Sequence, residues 1–367
     1  MARKLASDRV LFAAVILLVL TGLLMIYSAS AMQIYLPTAG APAFPYFFLA
    51  KQGIAVLLGV GLMAGAHFLD YRQLNRPPLV VAGLVLVSLS LVAVLFQAPI
   101  NGTRRWIDLG VLSVQPSEFA KLGLVVALAA LLSRREEEVA HPRRTLLPVA
   151  GLLASLAGLV LLQPDFGTAV TYFVIAAAML FFAGLPFRWF AGAALLVVPT
   201  LTAYVLSAQY RRDRILAFLH PEADPLGKGF QALQSLIAVG TGGVTGLGLG
   251  EGKQKLFFLP YPYTDFIYAI VGEELGLIGC VTVLALFGLV FARGIRAAVG
   301  APDTFGRLLG VGLSVMIVAQ ALVNVSVVLA LLPTKGIPLP FLSYGGSALW
   351  TNLLAVGVLL NLSQHAS

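Results

Sequence analysis

Charge is scarce in this chain: acidic and basic residues make up 11% of its 367 positions, where a soluble domain carries about 25%. Apolar residues make up 59%, above the usual ~45–50%. Folded in water, such a chain would leave large apolar patches exposed, whereas a bilayer accepts it as helices whose backbone groups bond internally. Cysteine is nearly absent. The single Cys280 lies inside an apolar run, which excludes a disulfide framework and a thiolate metal cage. The four histidines, His67, His141, His220 and His365, have no ligand spacing, so no histidine zinc site is expected. The net charge is +8, but the basic residues fall between apolar runs and form no stripe with interleaved aromatics, so no nucleic-acid partner is expected. No internal repeat and no separate soluble segment is evident, and residues 1–367 read as one membrane domain.

What is present is a series of long apolar runs. A bilayer core needs about 20 apolar residues per helix, and runs fall near 10–31, 50–69, 77–97, 117–133, 145–163, 168–186, 188–207, 266–292, 308–332 and 346–363. The expected fold is all-α, a polytopic bundle of about ten transmembrane helices. The first run ends in Ala29-Ser30-Ala31, but it is longer than the roughly 7–15 residues of a signal-peptide core, so it reads as a retained span. With the N-terminus inside, the inner segments hold Arg72, Arg76, Arg134, Arg135, Arg143, Arg144, Arg188, Arg293, Arg296 and Arg307, while short outer loops and their flanks hold only Lys51, Arg104, Arg105, Lys121 and Lys335. That bias places both termini in the cytoplasm. The connection between the seventh and eighth spans, about 208–265, is long, outer-facing and basic, with Arg211, Arg212, Arg214, Lys228, Lys253 and Lys255. Loops of that length are usually functional, and Phe230 to Val239 reads as a short amphipathic helix lying at the interface.

Ionisable groups within spans are costly and are paired or functional. Arg104-Arg105-Trp106 precedes Gln115-Pro116-Ser117-Glu118-Phe119-Ala120-Lys121. Pro116 suits the first turn of a helix, and Glu118 and Lys121, three apart, share one face and can pair; the alternative is that Lys121 and the arginines meet an anionic headgroup. Gln163-Pro164-Asp165-Phe166-Gly167-Thr168 is a second outer turn, with Asp165 either capping the next helix or touching Lys121 or a loop arginine. In Tyr263-Thr264-Asp265-Phe266 the long loop meets the eighth span, and Asp265 stands at a helix N-terminus whose dipole favours its ionised form. It can cap the helix, accept a proton from a substrate hydroxyl, or hold a divalent cation such as Mg2+ or Mn2+. Glu273 and Glu274 fall roughly 12 Å deeper along the helix, rotated by roughly 80° and 180° from Asp265, so they cannot both join it in one site, and at least one is expected to pair inside the bundle. The glycine-rich stretch Gly240–Lys253 lacks the Walker spacing, with Leu247 where a glycine is required and Gln254 in place of Ser or Thr, so no nucleotide is expected. Finally, Pro333-Thr-Lys-Gly336-Ile-Pro338-Leu-Pro340-Phe-Leu-Ser343-Tyr-Gly-Gly-Ser347 breaks any helix. Non-helical backbone at membrane depth must line a cavity or be buried in protein, so its amides and Ser343 are candidates for the same outer cavity.

Together, Arg105-Trp106, the 115–121 and 163–168 segments, Thr264-Asp-Phe-Ile267 with Gly272-Glu-Glu-Leu-Gly276, and Pro338-Leu-Pro-Phe-Leu-Ser-Tyr-Gly-Gly346 resemble, in order and over nearly the whole chain, the SEDS family of membrane peptidoglycan glycosyltransferases. The division-type branch is slightly favoured over the elongation-type branch. One departure stands out, Tyr261-Pro-Tyr263, where a Glu and a His are usual before Thr264. The resemblance implies polymerisation of lipid II into glycan strands at the outer face of the bacterial cytoplasmic membrane, with a class B penicillin-binding protein as partner. It maps the catalytic aspartate onto Asp265 and functionally sensitive polar positions onto Arg105, Glu118, Lys121 and Asp165. Within that reaction Asp265 is expected as general base, directly or through a divalent metal, and Arg105, Lys121 or loop cations such as Arg211 and Lys255 as partners of the departing pyrophosphate. The competing readings are a flippase for lipid II and a scaffold for the transpeptidase.

Overall fold

A computed structural model of the chain describes residues 7–30, 46–99, 103–108, 110, 113–220, 227, 229–256 and 258–366, without the side chains of residues 210, 211, 214 and 215. Among these, twelve α-helices follow one another: α1 (Arg9–Ser30), α2 (Phe47–Phe68), α3 (Pro77–Leu95), α4 (Pro116–Ser133), α5 (Leu147–Leu162), α6 (Phe166–Phe182), α7 (Phe187–Leu206), α8 (Gln209–Leu219), α9 (Phe230–Gly242), α10 (Ile267–Val299), α11 (Thr304–Val328) and α12 (Gly346–His365). A two-stranded antiparallel hairpin, β1 (Ile107–Asp108) with β2 (Ser113–Val114), joins α3 to α4. Nine helices are long and apolar enough to cross a membrane, and α6, at 17 residues, is the short tenth. Each of the ten apolar runs of the sequence coincides with one of them.

Local chemistry sets the helix starts. Prolines open α3 and α4, where a missing N–H costs nothing. Carboxylates cap two others: Asp165 accepts from the Thr168 N–H at α6, and Asp303 from the Gly306 N–H at 2.8 Å at α11. Helices α4, α11 and α12 are buried along most of their length and form the centre. By contrast, α7 has no buried residue and carries Pro199 in its interior. Close approach in lipid relies on small residues; a Cβ at Gly357 of α12 would collide with the Met63 carbonyl of α2.

The 208–265 connection holds α8 and α9. The expected helix at Phe230–Val239 exists: the small residues Ala232, Ser235, Ala238 and Gly242 are buried, while Leu236 and Ile237 are exposed. The reason is steric, because Gly242 meets the main chain of α10 at Gly272, which admits no larger side chain.

Helix α10 is two helices joined at Gly276, whose φ of 65° and ψ of −163° are not helical. The break leaves backbone groups without helical partners, and the glycine-rich loop supplies them. Leu247 and Gly248 N–H groups donate to the Glu273 and Glu274 carbonyls, and Leu277 and Ile278 N–H groups donate to Gly243 and Val244. The N-terminal piece folds back so far that the Tyr268 hydroxyl donates to the Cys280 carbonyl at 3.2 Å. A continuous eighth span is therefore corrected to one broken at Gly276, just beyond Glu273 and Glu274.

Charge is sorted between the two ends of the bundle. One end holds Arg293–Asp8 at 2.7 Å, Arg144–Glu138 at 2.5 Å, Arg307–Glu136 at 3.7 Å and the Tyr71–Asp303 hydrogen bond. Burial and the Asp303 carboxylate push the Tyr71 hydroxyl up in pKa. The opposite end gathers the motifs around Arg105, Asp165, Asp265 and Ser343.

Candidate active site

Asp265 lies in a turn one residue before Phe266, the N-cap position of α10, so it is not the cap itself, and Phe266 makes no side-chain cap bond. The nearby helix N-terminus still favours an anion there. Its turn is built by the Thr264 N–H donating to the Tyr261 carbonyl at 3.1 Å. The Thr264 hydroxyl stands 2.6 Å from Asp265 Oδ1 and 2.8 Å from the Tyr261 carbonyl. One hydroxyl proton serves only one of these at a time. The other carboxylate oxygen faces Gly336, where a Cβ would lie 3.5 Å from Oδ2.

The segment from Pro333 to Gly345 forms the floor around Asp265. The Ser343 hydroxyl donates to the Thr264 carbonyl at 2.5 Å and accepts from the Leu339 N–H, and the Tyr344 N–H donates to the Tyr263 carbonyl at 2.9 Å. Ser343 is thereby tied to backbone on both sides and shapes the floor. Two amides on one face of α11 support the same segment. Asn324 donates to the Asp265 carbonyl at 2.7 Å and to the Ile337 carbonyl at 2.8 Å, and Gln320, one turn deeper, donates to the Pro338 carbonyl at 2.9 Å. The Lys121 ammonium donates to the Gln320 carbonyl oxygen and pairs with Glu118 at 2.7 Å, both ionic side chains being only 3% exposed. Glu118 and Lys121 thus form the pair that their spacing predicts and brace the site from beneath.

Beside the floor lies the turn that opens α6. Arg105 donates to the Gln163 carbonyl at 3.1 Å and the Pro164 carbonyl at 2.5 Å, with its guanidinium 3.9 Å from Asp165. Asp165 therefore does both things open to it, capping α6 and meeting a loop arginine. The Lys335 ammonium sits 3.7 Å from the centre of the Phe166 ring, a cation–π contact that presents its charge at the same mouth. On the α2 side, Phe48, Tyr263 and Tyr344 form an aromatic wall, with Phe48–Tyr263 centroids 4.4 Å apart and Tyr263–Tyr344 centroids 5.7 Å apart. Burial pushes the Tyr263 hydroxyl up to about 12 and raises that of Tyr344, so both are neutral at ordinary pH.

This is an aspartate on a two-sided platform, cationic on one flank and aromatic on the other, at one end of a ten-span bundle. The family model described as "Cell cycle protein" (FtsW, RodA, SpoVE) matches residues 8–367. The chain belongs to this family, the SEDS family. Its relatives include stage V sporulation protein E of Bacillus subtilis, 41% identical over 369 residues with 99% of each chain covered, and the probable peptidoglycan glycosyltransferase FtsW of Geobacter metallireducens, 43% identical over 360 residues with 98% and 95% covered. Among solved structures, the rod shape determining protein RodA of Thermus thermophilus superposes with a TM-score of 0.71 at 31% identity over 99% of both chains. A chain from a structure described as "Structural coordination of polymerization and crosslinking by a peptidoglycan synthase complex" gives 0.79 at 34% identity over 98% of both.

Within this SEDS framework two sequence-based site residues need restating. Lys255 is not at the mouth. It is 4% exposed, 2.7 Å from Glu274, and also donates to the Ser28 hydroxyl at 3.0 Å and the Gly250 carbonyl at 2.5 Å; the expectation that it meets substrate is corrected, because a buried ammonium with a carboxylate partner has no charge to spare. Glu273 accepts the Lys253 and Gln254 N–H groups, and Glu274 the Gly250 N–H, so the two glutamates fasten the glycine-rich loop. Arg211 belongs to α8, and its side chain lies outside the described residues. Sequence reasoning passed over Gln320, Asn324 and Lys335. An isolated amide in an apolar helix costs enough that it must have a partner, and that was the available signal for the first two.

Proposed function

We propose that this chain is a peptidoglycan glycosyltransferase that polymerises lipid II at the outer face of the bacterial cytoplasmic membrane, with Asp265 as general base. The observation that carries the reading is the Asp265 turn, held between α11 amides and a floor segment beside Arg105 and Lys335. In the reaction the 4-hydroxyl of the acceptor sugar gives its proton to Asp265 as its oxygen bonds to the anomeric carbon of the donor. The bond from that carbon to the polyprenyl pyrophosphate breaks, and its electron pair leaves with the phosphate. Attack opposite the leaving group turns an α-linked donor into a β-linked product, so no glycosyl-enzyme is needed. Lys335 at the Phe166 ring and Arg105 beside Asp165 are the cations that would meet the departing charge, and Lys121 lies buried beneath them, paired with Glu118.

No cluster of three or more His, Cys, Asp or Glu side chains fit for a metal occurs among the described residues. A divalent cation, Mg2+ or Mn2+, would be held from the protein side by the single carboxylate of Asp265, as such ions are held at phosphate-transfer sites by one or two carboxylates. When bound it would supply further neutralisation of the pyrophosphate. Both termini are read as cytoplasmic because the arginine-rich end is the one retained inside, and a class B penicillin-binding protein is the expected partner.

The test is polymer formation by the purified full chain, with that partner present, from lipid II in detergent, where no membrane sidedness exists and a flippase would yield no glycan. Asp265→Asn is expected to abolish polymer while leaving the unfolding midpoint unchanged. Polymerisation at the parental rate by this variant would remove Asp265 from the role.

A further inference from the structure

Tyr261 is a bulky residue in a left-handed backbone conformation, with φ of 50°, a true outlier for a side chain of this size. Its side chain is nonetheless well exposed, at 58% for the residue. Such strain persists only where the surroundings impose it and clusters at ligand sites. Here the imposing element is the turn of Asp265 itself: the Tyr261 carbonyl takes both the Thr264 N–H and, at 2.8 Å, the hydroxyl that also reaches Asp265 Oδ1. The Tyr261 ring stands edge-on to Tyr263, with centroids 6.5 Å apart and planes at 82°, and Tyr263 is in turn packed by Phe48 and Tyr344. The aromatic wall thus ends in one displayed ring, borne by the residue whose carbonyl shares the Thr264 hydroxyl with Asp265.

The two oxygens of Asp265 face different chemistry. Oδ2 looks toward Gly336, the neighbour of Lys335, and Oδ1 is held by Thr264 on the Tyr261 side. A pyrophosphate is drawn to the first flank and repelled by nothing but rings on the second. A pyranose ring suits the second, because its axial C–H groups carry partial positive charge against the negative face of an aromatic ring.

We propose that Tyr261 is the stacking residue of the acceptor-sugar subsite, setting the hydroxyl-bearing ring over the Oδ1 side of Asp265. This rests on the glycosyltransferase reading above.

Two measurements test it on the full-length protein in detergent. In polymerisation assays with its partner, Tyr261→Gly, which removes the ring but suits the left-handed backbone, is expected to raise KM for lipid II about tenfold with kcat within about twofold. Tyr261→Phe is expected to retain the parental KM, and Tyr261→Ala to follow Gly with a lower unfolding midpoint. In saturation-transfer NMR with the lipid-free GlcNAc–MurNAc disaccharide as probe, the parent and Tyr261→Phe are expected to saturate the sugar C–H protons and Tyr261→Gly to lose that transfer. An unchanged KM and unchanged transfer for Tyr261→Gly overturns the subsite while leaving the glycosyltransferase standing. Absence of polymer from the parent would overturn the glycosyltransferase reading, and sugar contact that depends on Tyr261 would survive it as a binding site.

Discussion

At the scale of single residues, the site depends on buried polar groups that have been matched with care. Glu118 and Lys121 are the sharpest case, since each is only 3% exposed on its side chain and each neutralises the other. Removing one partner of a buried pair leaves a bare charge and costs roughly 3–5 kcal/mol, whereas removing both is far milder. Lys121→Met is accordingly expected to lower the unfolding midpoint sharply, and Glu118→Gln combined with Lys121→Met to recover most of the loss; equal midpoints for single and double variants would show that the pair is not coupled. This pair was legible in the sequence because three-residue spacing on a helix leaves little choice. Lys255 was not, because its partner Glu274 lies on another element and its second partner, Ser28, is 227 positions away. Asn324 was hidden for a similar reason: its acceptors, the Asp265 and Ile337 carbonyls, become neighbours only once the Pro333–Gly345 segment has folded onto α11.

At the scale of elements, apolar length was enough to locate all ten spans, since the bilayer sets one requirement for each of them. It was not enough to show that α10 is broken. Gly276 sits in an apolar run and reads as an ordinary helical glycine until its backbone angles are known. With φ of 65° and ψ of −163° it occupies a region essentially closed to other residues, where strain costs about 1–3 kcal/mol. A Cβ there would also crowd the Gly246 N and the Val244 carbonyl. Gly276→Ala is therefore expected to lower the unfolding midpoint and reduce polymerisation together. A variant with parental midpoint and rate would mean that the break is not needed to hold the loop. Which face of α9 meets protein was equally out of reach, because pattern alone reports that a helix has two faces and not which one is packed.

For the whole molecule, the separation of charge gives a topology that can be checked directly. Cys280 is the single cysteine, so Cys280→Ser provides a background in which new thiols report alone. In spheroplasts a membrane-impermeant maleimide is expected to label Arg104→Cys on the floor side and to spare Glu137→Cys at the arginine-rich end, both positions being exposed. The opposite pattern would turn the protein over and move Asp265 away from any lipid-linked sugar outside the cell. The resemblance of motifs carried most of the family assignment, because five separated segments had to agree in order; the aromatic flank escaped it, because Phe48, Tyr263 and Tyr344 come from three distant stretches of chain.

The fastening of residues 250–255 by Glu273 and Glu274 closes a ring of polypeptide around Asp265 without a covalent link. A pull arriving from α7 and α8 along the chain is taken up at that closure before it reaches the carboxylate. The exposed α7, which carries no buried residue, is thus separated along the chain from Asp265 by a fixed closure.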